Sequence, residues 1–154
     1  MNLQEELKAL KERIAELEEQ EKDEQELPQY DYEYWYVDFD GSVFSTFYDN
    51  NHYIDRYHQE IGNIFKTKKQ AEFAVEKLKV EAELQKFSRP FESMEGNFCM
   101  VFDTSDGSID FWSMSYSQAQ GAIYFESTDK ANEAIQSVGE NRIKKYIFGV
   151  EDSP

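Results

Sequence analysis

Residues 62–87, GNIFKTKKQAEFAVEKLKVEAELQKF, combine a short apolar strand, a capping sequence and a long helix. Thr67 is a good N-cap residue, and Gln70 three positions on completes a capping box. Ala71, Ala74, Val75, Leu78 and Ala82 form one apolar stripe at helical spacing, and Phe73, Val80, Leu84 and Phe87 form a second beside it. So wide an apolar face predicts a helix covered on more than one side, stopped at Ser88, Arg89 and Pro90. The pattern of Phe65, Thr67, Ala71, Ala74 and Val75 returns sixty positions later as Phe125, Ser127, Ala131, Ala134 and Ile135. The chain is therefore expected to consist of two related halves.

Outward from that helix, each half follows one plan. Before it, the aromatic run from Tyr30 to Tyr48 is broken by Asp40-Gly41, a hairpin turn between alternating strands. The polar stretch from Asp49, through NNHYIDRYHQE, is expected to be a loop before a strand at Ile64 and Phe65. In the second half NFCMVFD, Asp106-Gly107 and SIDFWSMSY repeat the hairpin. Gly121 to Phe125 and a helix from Ser127 to Val138 follow, with Gly139 as its C-terminal cap. Residues 142–150, RIKKYIFGV, alternate well enough to predict a last strand, and EDSP is expected to be a frayed tail. The expected class is α+β: two strand-strand-strand-helix units plus a last strand, with the helices laid on antiparallel sheet.

At the N-terminal end, Leu3, Leu7, Leu10, Ile14 and Leu17 alternate at four- and three-residue spacing, as core positions of a heptad repeat do. In that register Glu6 faces Lys11 and Arg13 faces Glu18 across a parallel seam. The seam lasts under three heptads before Glu21 and Glu24 occupy core positions, so it cannot hold a dimer alone. Self-association is the leading expectation; packing on the chain's own globular part and a seam reserved for another protein stay open. No Asn stands at a core position to fix register or oligomer number, so trimeric and antiparallel forms stay open too. Residues 1–27 are read as a coiled-coil helix with an acidic linker, and residues 28–154 as the globular domain.

The 154 residues carry 16 Lys and Arg against 32 Asp and Glu, a net charge of -16 with a pI near 4.4. Such a chain is repelled by phosphate backbones and anionic membranes, whereas basic proteins are favoured as partners. Charge serving only solubility is the plainer alternative. Cys99 is the only cysteine, which excludes an intramolecular disulfide and a thiolate metal cluster; within FCMVF it is expected to be buried and inert. The first residues lack a signal peptide's basic start and apolar run, and no stretch approaches membrane-spanning length. A soluble, cytoplasmic protein is expected.

No catalytic motif is present, and no cofactor is expected. Asp38 with Asp40, and Asp103 with Asp106, superficially resemble calcium loops. The twelfth residues counted from Asp38, Asp40 and Asp103 are Asp49, Asn51 and Met114, where a closing Glu would be needed. His52 and His58, six apart, match no standard zinc spacing, so no metal site is expected. Lys66, Lys68 and Lys69 flank the N-terminal end of the long helix, where the macrodipole disfavours cations. Pairing with the acidic surface is the plain expectation, and an anion held between them and the helix N-terminus is the other; Arg142, Lys144 and Lys145 would join if the last strand lay alongside. In DYEYWYVDFD, carboxylates alternate with aromatics, so Asp31, Tyr32, Glu33, Tyr34, Asp38 and Asp40 are the candidate protein-binding surface.

Taken together, the short N-terminal heptads, YWYVDFDG, GNIFKTKKQAEFAVEKLKVEAELQKFSRPF, AIYFES and RIKKYIFGVE resemble a group of small phage- and prophage-encoded accessory proteins of low-GC Gram-positive bacteria. The resemblance spans most of the chain and transfers no active-site residue. It implies a non-virion protein made inside an infected cell, where small acidic phage proteins often block host nucleic-acid enzymes by occupying basic surfaces. The expected function is that of a non-enzymatic inhibitor of such a host protein, of anti-defence, anti-CRISPR or DNA-mimic type, acting as a homodimer. The alternatives are a structural or assembly accessory dimer in a phage complex, and a small-anion or nucleotide-binding regulator.

Overall fold

The computed structural model describes residues 2–24 and 32–151. Helix α1 is Leu3–Glu24, followed by strands β1 (Glu33–Val37) and β2 (Val43–Phe47). Helices α2 (Tyr53–Glu60) and α3 (Lys68–Gln85) come next, then strands β3 (Asn97–Asp103) and β4 (Ser108–Met114), and helices α4 (Thr128–Val138) and α5 (Glu140–Tyr146). The chain is α+β, with two antiparallel two-stranded sheets, β1–β2 and β3–β4. Leu27 to Gln29, where α1 was expected to end, and Asp31 of the expected surface lie outside the described residues.

Both hairpins turn where Asp-Gly predicts. Gly41 and Gly107 adopt φ of 86° and 74°, a left-handed conformation that costs glycine nothing. Asp40 and Asp106 brace the turns by accepting the backbone N–H of Ser42 (2.9 Å) and Ser108 (3.0 Å). The expected third strands shrink to single bridges. Trp35 exchanges backbone hydrogen bonds with Phe65 (2.8 and 2.9 Å), and Phe98 does so with Phe125 (3.0 and 2.8 Å).

Helix α3 starts as its sequence dictates. Thr67 Oγ1 accepts the Gln70 N–H at 3.2 Å, and Gln70 Oε1 accepts the Thr67 N–H at 3.3 Å, a cap worth about 1 kcal/mol. It packs on β1 and β2 and also on α4 and α5, so this one helix joins both hairpin regions. Ala71, Val75, Val80 and Leu84 are its buried positions. Leu78, expected in the buried stripe, is 60% exposed, and Ala82 is exposed as well. The stripe fails there because the buried face passes from the first hairpin to the second half partway along the helix. Val80 and Leu84 then join Phe125, Ala131, Ala134, Val138 and Ile143 in the main core.

Two expected elements are corrected. The predicted last strand within residues 142–150 is, through Tyr146, helix α5. Ile143 packs inward with Tyr146 and Ile147 beside it, a helical three-and-four spacing that competes with the period-two alternation of Ile143, Lys145 and Ile147. Glu140 in the first turn and Lys144 in the last complement the macrodipole and pair at 3.1 Å. Arg142 grips Glu83 of α3 through both guanidinium nitrogens (2.9 and 3.1 Å). The second correction is α2, where a polar loop was expected. Its inward positions are Asp55, which is buried, and the half-buried His58, so its inner face is polar and leaves no apolar periodicity to read.

Candidate functional site

The face of the first hairpin formed by Tyr34, Tyr36, Phe44 and Thr46 follows from the β1–β2 register, in which Tyr34 pairs with Thr46 and Tyr36 with Phe44. Helix α2 lies over part of it. The Tyr34 hydroxyl donates to Asp55 Oδ1 in a short hydrogen bond, and Asp55 Oδ2 accepts the Asp49 N–H at 3.1 Å. His58 Nδ1 stands 3.0 Å from the Tyr34 oxygen. Because that hydroxyl spends its proton on Asp55, the arrangement calls for the tautomer in which His58 Nδ1–H donates to it. The His58 ring stacks on Tyr36 at 4.4 Å between centroids, and the Tyr48 hydroxyl donates to Gln59 Oε1 at 2.9 Å.

Burial is the largest influence on Tyr34, and the Asp55 carboxylate adds to it, so its phenol is held far above the ordinary value. Burial also pushes the His58 pKa down, against the pull of Asp55 and Asp38. These groups tie α2 to β1 and hold a buried carboxylate with its partners in place.

This arrangement turns other aromatics outward. Phe39, at the tip of the β1–β2 turn between Asp38 and Asp40, is 97% exposed. Phe44 and Phe47 of β2, and Tyr53 and Tyr57 of α2, are exposed too, the two tyrosines packed edge to face at 5.8 Å. A cavity of about 290 Å³ opens between Phe47, Ile54, His58 and Tyr36. Residues 32–65 set Glu33, Asp38, Asp40, Asp49, Asp55 and Glu60 against Arg56 alone. The Ser42 backbone and hydroxyl hold the Asp40 carboxyl below its usual range, keeping the turn charged. Exposed aromatic area rimmed by carboxylates can anchor a protein partner that brings cations.

The sequence-predicted positions differ in exposure. Tyr32, Glu33 and Asp40 are exposed and Asp38 is half-buried. Tyr34 is wholly buried and cannot touch a partner, because α2 lies over its side of β1 and takes its hydroxyl. Phe39, Phe44, Phe47, Tyr53 and Tyr57 were missed. The signal for Phe39 was present, since a large apolar residue between two turn carboxylates has little room to fold inward.

The three lysines do not converge. Lys66 is half-buried. Lys68 is 3.9 Å from Glu72 and 5.9 Å over the Trp35 ring. Lys69 lines a cleft of about 600 Å³ with Lys79, Lys145, Glu72 and Glu76, where carboxylates largely offset the cations. On α1, Leu3, Leu7, Leu10, Ile14 and Leu17 are all exposed, and Arg13 pairs within its own helix with Glu16 at 3.0 Å. Cys99 is buried and free, its thiol pushed up by burial. Among the described residues no group of three or more His, Cys, Asp or Glu is placed to hold a metal ion, and no helix is long and apolar enough to cross a membrane.

No family model, no curated protein and no solved structure matches the chain. Its function has to be argued from these residues.

Proposed function

We propose that this chain is a non-enzymatic, acidic interaction protein whose first half binds a basic surface on another protein. Phe39, held almost fully exposed between Asp38 and Asp40, is the observation that carries the proposal. An aromatic anchor inside a carboxylate rim couples contact energy to electrostatic steering. Surfaces of that complementary kind are found on proteins that act on nucleic acid, and the phage-like sequence resemblance makes a host defence or replication enzyme in the cytoplasm the natural target. Binding there would inhibit it by occupying its nucleic-acid surface.

The same proposal takes the two halves as diverged copies of one hairpin, bridge and capped-helix unit. It takes α1 as a short coiled coil that joins two chains and so presents the surface twice, raising effective concentration at a repeated target.

The test is affinity purification from infected or expressing cells with mass spectrometry, using the full chain and Phe39→Ala side by side. A basic nucleic-acid-acting protein should be recovered with the parent chain and depleted with the variant. Its affinity should fall at least about tenfold between roughly 0.1 and 1 M salt, as the Debye length shrinks from ~10 to ~3 Å. Recovery of phage structural proteins instead would favour an assembly role, and binding indifferent to salt refutes charge-led recognition.

A further inference from the structure

The outer edges of the two hairpins are closed differently. On β1, Trp35 is paired to the Phe65 backbone, and the next outward-facing residue, Val37, is closed by a side chain. The Val37 N–H donates to Asn63 Oδ1 at 2.7 Å, and Asn63 Nδ2 donates to the Val37 carbonyl at 2.7 Å. A carboxamide thus fills one rung of the ladder, offering donor and acceptor side by side.

On β3 the first rung is the same, Phe98 to Phe125. The register with β4 runs unbroken from Asn97↔Met114 to Asp103↔Ser108, so backbone polar groups alternate sides. Met100, two residues after Phe98, therefore turns its N–H and C=O away from β4, as Phe98 does. The residue two before the bridging phenylalanine, where the first half has Asn63, is Ile123, which has no polar side-chain atom to offer. Among the described residues no backbone hydrogen bond outside the ladder reaches Met100. A cavity of about 280 Å³ opens there, lined by Met100, Ile123, Phe125, Leu84, Cys99 and Trp112. Its lining is mostly apolar, with Glu81 and Gln120 also on its wall, and Trp112 at its rim is 59% exposed.

We infer that this cavity is a binding pocket for a small apolar amide, which takes at Met100 the place that the Asn63 carboxamide takes at Val37. The ligand carbonyl accepts the Met100 N–H, the ligand N–H donates to the Met100 carbonyl, and the apolar body lies against Ile123, Phe125, Leu84 and Trp112. The volume sits just under the roughly 300–1,000 Å³ of ordinary ligand sites. At the ~30 Å³ that a water occupies in the liquid, it holds on the order of ten heavy atoms. A lactam or a primary amide on a short aliphatic body fits both the edge and the size. This pocket lies on the second half and is independent of the partner surface proposed above.

The experiment uses the ¹⁵N-labelled full chain. Without ligand, the Met100 amide should exchange with solvent at least about tenfold faster than those of Val37 and Phe98. Titration with ε-caprolactam or hexanamide should shift the Met100 amide and the Trp112 indole, while N-methylcaprolactam, which lacks the donor, should bind at least about fivefold more weakly. Ile123→Asn should close the rung internally, slow Met100 exchange and abolish the lactam shifts. The N-methyl comparison keeps the inference testable if that variant does not fold. Met100 protection equal to that of Val37 in the free chain would overturn the inference. So would equal binding of the methylated lactam, or shifts at Met100 produced only by a capped tripeptide such as acetyl-Val-Leu-Val-amide.

Discussion

Tyr34→Phe removes a single oxygen from the fully buried Tyr34 and should be among the more damaging conservative changes in the first half. The hydroxyl it deletes donates to Asp55 Oδ1 and lies 3.0 Å from His58 Nδ1, and Asp55 is only 5% exposed. A hydrogen bond to a charged group contributes about 1.5–3 kcal/mol, and leaving the acceptor buried without its donor adds desolvation cost. The Asp49 N–H at 3.1 Å remains on the other carboxylate oxygen and limits the damage, so the expected loss is about 2–3 kcal/mol. With a urea m-value of roughly 1.5–2 kcal/mol/M for a chain of this size, the midpoint should drop by about 1–2 M, followed by tryptophan fluorescence from Trp35. In an Asp55→Ala background the same substitution leaves no orphaned carboxylate. A double-mutant cycle should therefore return a coupling of about 1–2 kcal/mol. A loss below about 0.5 kcal/mol, or coupling indistinguishable from zero, would show that the Tyr34–Asp55 bond does not hold α2 in place.

His58, its pKa lowered chiefly by burial, should make stability fall on mild acidification. Its folded value lies below the ordinary ~6.5, so its contribution is whole above about pH 6.5 and is lost as pH falls from there through the depressed value. Urea midpoints between about pH 7 and 5 should show that drop, smaller in His58→Gln, and an equal drop in both proteins would refute the assignment. Thr67→Ala should cost about 1 kcal/mol by removing the α3 cap, read from the same urea curves; a loss under about 0.3 kcal/mol would contradict the capping geometry. For α1, sedimentation should give twice the chain mass for the parent and the single-chain mass for Leu10→Asp with Ile14→Asp. A monomeric parent would remove the coiled-coil proposal.

What could be read from the sequence was local. The Thr67–Gln70 capping box and both Asp-Gly turns are set by residues within a few positions of one another, and all appear where expected. Failures came where a face is defined by something distant. Helix α2 buries Asp55 and His58 against Tyr34, a polar contact spanning more than twenty residues that no hydrophobic period records. Missing α2 then left Tyr34 among the candidate surface residues, although α2 covers it. The same local pattern in residues 142–150 supports alternation or a helical repeat, and only the core around Ile143 decides between them.

Two register positions explain how the two hairpins come to present different surfaces. Tyr34 and Asn97 each stand one residue before the bridging aromatic, Trp35 or Phe98, and both are wholly buried polar side chains. Each ties its hairpin to a neighbouring segment. Tyr34 reaches forward to α2. Asn97 is bound mainly to the chain that precedes its hairpin: it accepts from Arg89 Nη1 and the Glu92 N–H, both at 2.9 Å, and donates to the carbonyls of Glu92 and Glu95 at 2.8 and 3.1 Å, and within the hairpin to the Met114 carbonyl at 2.9 Å. The first half therefore needs an added helix after β2 to satisfy its buried polar group, and that helix carries Tyr53, Tyr57 and Glu60 to the surface. The second half satisfies its own from the chain just before β3 and from Met114 of β4, and needs no such helix; there Met100 lines a mostly apolar cavity. The buried polar group before the bridge thus decides whether α2 is added, and Asn63 or Ile123 decides whether the next rung is closed by a carboxamide or opens on a mostly apolar pocket.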